Sequence, residues 1–310
     1  MACQSGREGV KASSVAILAL GSITVLVIGW VVFTPGSPPV PPPLPNPNGY
    51  DDLVQAGLAI VGEPRPDEER TLKELHAFVQ TNAPAFALIQ TGLARQCCVP
   101  VKFSDAWMRT HFPELPAIKT AAYALMASGR LAELDRDFPA AAKAYLDCIT
   151  LAAESSRGGL LVDRVHGATC EALGSRELFN IVPELDAATC SNAVQVLKVL
   201  ESRRESDAEV MALENKWTRA TQSGFGYWRR RLVEMIRNRT LKPASTTDAQ
   251  LLRKANQREL QTVSLMVALA LRTYELEKGQ PPQRLEDLVP EFLEKVPLNP
   301  VTGTNITWNP

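Results

Sequence analysis

Residues 117–152 read AIKTAAYALMASGRLAEL, then DRDF, then PAAAKAYLDCITLA, and this stretch decides the fold. The first segment is rich in Ala and Leu and holds no proline, a composition that favours helix. DRDF is a polar turn. Pro139 stands where the next helix begins, because the N–H it lacks is one that a helix start leaves unpaired anyway. The small residues Ala124, Gly129, Ala132 and Ala141, with the aromatics Phe138 and Tyr145, suit two helices packed closely and antiparallel. The stretch predicts an α-hairpin, and the chain on both sides continues in the same manner.

Upstream, residues 50–61 predict a short helix stopped by Pro64 and Pro66. Residues 67–80, DEERTLKELHAFVQ, put acidic groups in the first turn and Leu72, Leu75 and Val79 on one stripe. Asn82-Ala83-Pro84 opens a helix to about Arg95, and residues 97–116, interrupted by Pro100, Pro113 and Pro116, predict loop with short turns. Downstream, residues 159–181 and 186–222 predict two longer helices. The second takes its apolar face from Val194, Leu197, Val199, Leu200, Met211, Leu213 and Trp217. Two glycines in 223–228, SGFGYW, break the pattern, and 229–242 resume it. Ser245-Thr246-Thr247-Asp248 is a capping box that opens a helix to about Lys278, closed by Gly279 with Pro281 and Pro282 behind it. Its apolar core, 263–271, is too short to span a bilayer and predicts a buried helix. The predicted class is all-α, with a helical domain over 50–244 and a long helix plus C-terminal element over 245–310.

VAILALGSITVLVIGWVVF (Val15–Phe33) is 19 residues without a charge, and with 12–14 the run reaches 22. At about 1.5 Å per residue that spans the ~30 Å core of a bilayer. Arg7 and Lys11 precede it, and no Lys or Arg follows until Arg65. Positive charge stays on the cytoplasmic side, so 1–11 is expected in the cytoplasm and the rest outside. A cleaved signal peptide is the competing reading. Its apolar core runs about 7–15 residues before a small-x-small site, whereas this run is longer and leads into Trp30-Val31-Val32-Phe33-Thr34-Pro35. A lipid bilayer is therefore the first expected partner, through Val15–Phe33. Eight prolines in residues 35–48 predict a stiff polyproline II spacer within 34–49.

Two stretches resemble known families. Ala132, Asp137-Phe138, Ala141 and Tyr145 resemble one tetratricopeptide repeat. About three such repeats are needed to bury a continuous core, and no second copy follows at that period. This implies a repeat-like hairpin inside a bundle. Residues 268–303 hold Ala268, Leu269, Leu271, Tyr274, Leu276, Gly279 and Pro282, then Leu285, Leu288, Val289, Pro290, Leu293, Pro297, Pro300 and Gly303. This pattern resembles the head region of type II secretion pseudopilins and of bacterial extracytoplasmic proteins with the same element. It implies a glycine-ended helix, a short turn folded back on it through Leu285 and Leu288, and a strand-like tail. The sequence departs from that family at its leader, where Gly9 is followed by Val10 and Ser14 replaces a glutamate. It also has Asn299 in place of the family's aspartate and ends before the acidic loop that binds calcium there. Neither pilus assembly nor calcium is carried over.

Charge is unevenly spread, with a net of −8 over 34–215 and +6 over 216–310. Residues 216–242 interleave Lys216, Arg219, Arg229, Arg230, Arg231, Arg237, Arg239 and Lys242 with Trp217, Phe225, Tyr227 and Trp228. Such a stretch suits anionic headgroups, an acidic partner, or a solvated face that neutralises the acidic half. An extracytoplasmic location argues against nucleic acid. Asp163, His166 and Cys170 share one helix face, where Cys148 or Cys190 would have to converge to complete a metal site. With Glu171 the same face suits acid–base work. No phosphate loop, nucleophile elbow or His-Glu-x-x-His pattern accompanies it, so no catalytic, cofactor or metal residue is assigned. Cys97, Cys98, Cys148, Cys170 and Cys190 are expected outside, where a bridge from Cys97 or Cys98 to a later helix and buried free thiols are both open. The expected function is a non-enzymatic, membrane-tethered scaffold or partner-binding protein, possible in envelope or secretion assembly. An envelope hydrolase without a motif, and a pseudopilin-like subunit, are the alternatives.

Overall fold

The computed structural model describes residues 41, 43–62, 70–221 and 246–306, and over these it is helical. The anchor 15–33, residues 34–40 and 42 of the proline spacer and residues 222–242 of the basic stretch lie outside the described residues. Among the described residues no helix is long and apolar enough to cross a membrane. The chain divides into two units. One holds Pro41–Asn215 with Ser245–Pro310; of the other, only 216–221 is described.

The elements are α1 (Gly49–Ala59), α2 (Leu72–Thr81), α3 (Ala83–Leu93), α4 (Asp105–His111), α5 (Glu114–Leu134), α6 (Phe138–Ser156), α7 (Leu161–Ile181), α8 (Ala187–Ser202), α9 (Asp207–Thr221) and α10 (Thr246–Lys278). Short side chains start most of them. Asn48, Ser104, Asp137 and Asp186 each accept an N–H of the first turn, and Thr71 with Glu74 forms a reciprocal capping box. Gly279, at φ 73°, ends α10 in the left-handed conformation that glycine adopts without a Cβ clash.

The hairpin read from 117–152 is α5 and α6. Short connections make α5, α6 and α7 alternate in direction. α5 packs on α6, α6 on α7, α7 on α10, and α10 on α8, while α1 fits against α3 and α5. The core runs through Leu53, Ile89, Ile118, Ile149, Leu151, Leu178, Leu197, Leu265 and Leu269, all within 2% of complete burial. The α5–α6 contact is close because Gly129 faces the Tyr145 ring, where a Cβ would collide with it. The 263–271 core of α10 is buried as expected, and Leu285 and Leu288 form a buried 3-10 turn against α10.

Several expectations are corrected. The predicted helix 186–222 is two helices, parted at 203–206, where Ser206 and Glu209 cap each other and start α9. Val199, assigned to its apolar face, is 46% exposed. The stripe on α2 is Leu75 with Phe78, and Leu72 faces water. Asn82 does not cap α3. Its amide exchanges hydrogen bonds with the backbone of Val61 and also donates to Phe78 O, tying down the end of α1. The 97–116 loop contains α4 and the start of α5. The strand-like tail is a turn closed by a single bridge between Leu298 and Asn305.

Gly129→Val is expected to destabilise the unit by about 1–3 kcal/mol, because the branched side chain must displace the Tyr145 ring from a filled contact. A lowered midpoint in urea or thermal unfolding checks this, and an unchanged midpoint refutes the close contact.

Candidate functional site

The candidates Asp163, His166, Cys170 and Glu171 all lie on α7, but they do not converge. Asp163 stands in the first turn, where its Oδ2 accepts the Leu160 N–H at 2.8 Å. Its Oδ1 takes a hydrogen bond from His111 Nε2 at 2.6 Å. His111 ends α4, and its other nitrogen, Nδ1, donates to Glu114 Oε2 at 2.8 Å. Glu114 opens α5, and the Tyr50 hydroxyl of α1 donates to the same oxygen at 2.8 Å. Trp107 lies flat on the imidazole, with ring centres 4.5 Å apart and planes 14° from parallel. His111 is 0% exposed and Asp163 and Tyr50 are each 1% exposed.

The electrostatics follow from that geometry. An imidazole with a carboxylate on each nitrogen donates from both, which makes it an imidazolium. Burial alone would lower the His111 pKa. The hydrogen bonds to Asp163 and Glu114 outweigh it and raise the value to about 9. Burial likewise pushes the Glu114 carboxyl up, but the bonds from His111 and Tyr50 hold it below its ordinary value. Burial, then Glu114, pushes the Tyr50 hydroxyl far up. The array resembles the carboxylate–imidazole part of a catalytic triad, but a second carboxylate takes the nucleophile's place and no ring nitrogen remains to accept a proton. Its role is to join α1, α4, α5 and α7.

Glu171 belongs to a second buried cluster. It accepts Arg204 Nη2 at 2.7 Å and Nη1 at 3.1 Å. Arg204 also donates to Glu201 at 2.8 Å and faces Glu259 Oε1 at 3.4 Å. Arg164 donates to Glu259 Oε2 at 3.0 Å. Burial raises the Glu259 carboxyl to about 7 against the pull of Arg204 and Arg164. Arg164 Nε and Glu259 Oε1 have no hydrogen-bond partner among the described residues. A cavity of about 20 Å³ beside Arg164, Arg203 and Arg204 has room for one water.

His166 is half-buried, and burial depresses its pKa. Among the described residues no three His, Cys, Asp or Glu side chains converge to hold a metal ion. Cys97, Cys98, Cys148, Cys170 and Cys190 are free thiols, all buried except the half-buried Cys98. Burial pushes Cys97 and Cys170 up to about 12 and Cys190 up to about 11, far from the thiolate that reacts. Sequence reasoning missed Tyr50, His111, Glu114, Arg204 and Glu259. The nearest signal was His111-x-x-Glu114, an i, i+3 pair inside a segment read as loop.

The raised His111 pKa sets a sign. Its stabilising contribution is whole below the ordinary value of about 6.5 and is lost as pH rises through about 9. Urea unfolding at pH 6 and pH 9.5 is expected to show a loss on the order of 3 kcal/mol that His111→Gln lacks. NMR at pH 7 is expected to show both ring N–H protons, and a ring with a single proton overturns the assignment. Comparison with family models, with curated proteins and with solved structures finds no match, so the reading of this chain rests on its own geometry.

Proposed function

We propose that the chain is a helical scaffold tethered to the outer face of a membrane through 15–33, presenting a rigid body to a protein partner. The observation that carries this reading is the clamp where the proline spacer meets the body. Asn48 Nδ2 donates to Cys98 O at 2.8 Å, Cys98 N donates back to Asn48 Oδ1 at 3.0 Å, and Gly49 N donates to Gln96 O at 2.9 Å. A spacer that ends in a three-bond clamp passes the position of its anchor directly to the folded body, as a tether requires. The closed ion pairs of His111 and Arg204 support a structural role for Asp163 and Glu171, since each carboxylate is engaged by a cation.

In cells, the full chain is expected to pellet with membranes after carbonate extraction and to keep residues 1–33. Protease added from outside is expected to cut the spacer and release the helical body intact. Recovery in the carbonate supernatant, or a mature N-terminus beyond residue 33, overturns the tether. Asn48→Ala removes both side-chain bonds of the clamp and is expected to cost about 1–3 kcal/mol in urea unfolding.

A further inference from the structure

Between the end of α7, the 3-10 turn Val182–Glu184 and α10 lies an open groove of about 450 Å³. That volume falls among small-molecule clefts, which run from roughly 300 to 1,000 Å³ and combine apolar walls with a few orienting polar groups. Phe179, Val182, Val267, Ala268 and Leu271 supply the apolar wall. Phe179 is 49% exposed, although it sits on a helix that is otherwise largely buried.

Arg272 is the cationic member of the wall, which Ser264 and Glu275 also line. Its Nη2 donates to Pro183 O at 2.9 Å. The Glu275 carboxylate, through Oε2, stands 3.9 Å from Nη1, beyond hydrogen-bond distance. Arg272 Nε is buried with no hydrogen-bond partner among the described residues. Arg164 and Arg204, in the buried cluster, are each matched by a carboxylate at 3.0 Å or less, whereas the Arg272 side chain is 29% exposed and has none that near. A guanidinium this thinly paired beside an apolar groove gains a charge-assisted bond from an anionic head. Glu275, 44% exposed in its side chain, is screened by water and opposes that gain weakly.

We propose that this groove binds a single-chain carboxylate amphiphile, with the tail along Phe179, Val267, Ala268 and Leu271 and the carboxylate on Arg272. The site is independent of the tether and of the scaffold's partner.

The test is 19F NMR of 8-fluorooctanoate with the purified full chain, held in phosphatidylcholine nanodiscs where it needs lipid to stay dispersed, against empty nanodiscs. Saturable binding at one site is expected. Arg272→Gln is expected to weaken octanoate by about tenfold while leaving competition by octanol unchanged. Ala268→Trp, which fills the groove, is expected to abolish both, and Ser264→Phe on the same wall replaces it if that variant unfolds. Thermal unfolding of each variant confirms that it folds. Binding no different from empty nanodiscs overturns the proposal, as does equal weakening of acid and alcohol by Arg272→Gln. Binding that appears only after truncation behind Ile306, which lines the groove, makes residues 307–310 the occupant and also overturns it.

Discussion

The imidazolium of His111, held between Asp163 and Glu114, is the interaction on which the first half of the body depends. It brings together residues from α1, α4, α5 and α7 that are up to 113 positions apart in the chain. Two charges out of water, His111 and Asp163, with Glu114 partly exposed, are a poor source of stability by themselves. Apolar side chains of the same volume often do as well. Their effect is specificity, because removing His111 leaves the Asp163 carboxylate buried and uncompensated, at about 3–5 kcal/mol. The pairing fixes the end of α4 and the start of α5 against the first turn of α7.

The need for such pairing comes from α7. It packs against α6 on one side and α10 on another, and its buried residues go most of the way around it. Asp163, Arg164 and Glu171 all fall on buried positions. A central helix with charges on it requires a partner for each from a neighbouring element. His111 comes from α4, Glu259 from α10, and Arg204 from the turn between α8 and α9. That turn also explains the broken helix. A continuous helix over 186–222 would carry Arg204 along its own axis, whereas the break at 203–206 lets its guanidinium reach Glu171 and Glu201.

Periodicity and end signals made the helices legible, since they act within a turn or two of the chain. The α5–α6 hairpin follows from Ala-rich spacing, the DRDF turn and Pro139. The end of α10 follows from Gly279. Misreadings arose where a local signal competed with a distant one. The Ser206-x-x-Glu209 cap stood inside an apolar period and gave way to it. Val79 satisfied the stripe on α2 as well as Phe78 did, and only packing beneath the helix chose between them. Asp163 and Glu171 were picked out as candidates because charged residues on an apolar helix invite chemistry. Their partners lie 33 to 52 residues away, and no spacing rule connects Asp163 to His111 or Glu171 to Arg204.

The contrast between the interior and α10's outer face bears on function. Inside, Asp163, Glu114, Glu171 and Arg204 each meet an opposite charge at 3.1 Å or less. At the groove the matching stops. Arg272 keeps one backbone bond and a distant carboxylate, next to a phenylalanine half in water. The Arg272 side chain, 29% exposed, is thus less closely paired than Arg164 and Arg204 of the buried cluster. The groove lies at the C-terminal end of α7, whereas the His111–Asp163 pair closes its first turn, so the two ends of one helix differ in how completely their charges are matched.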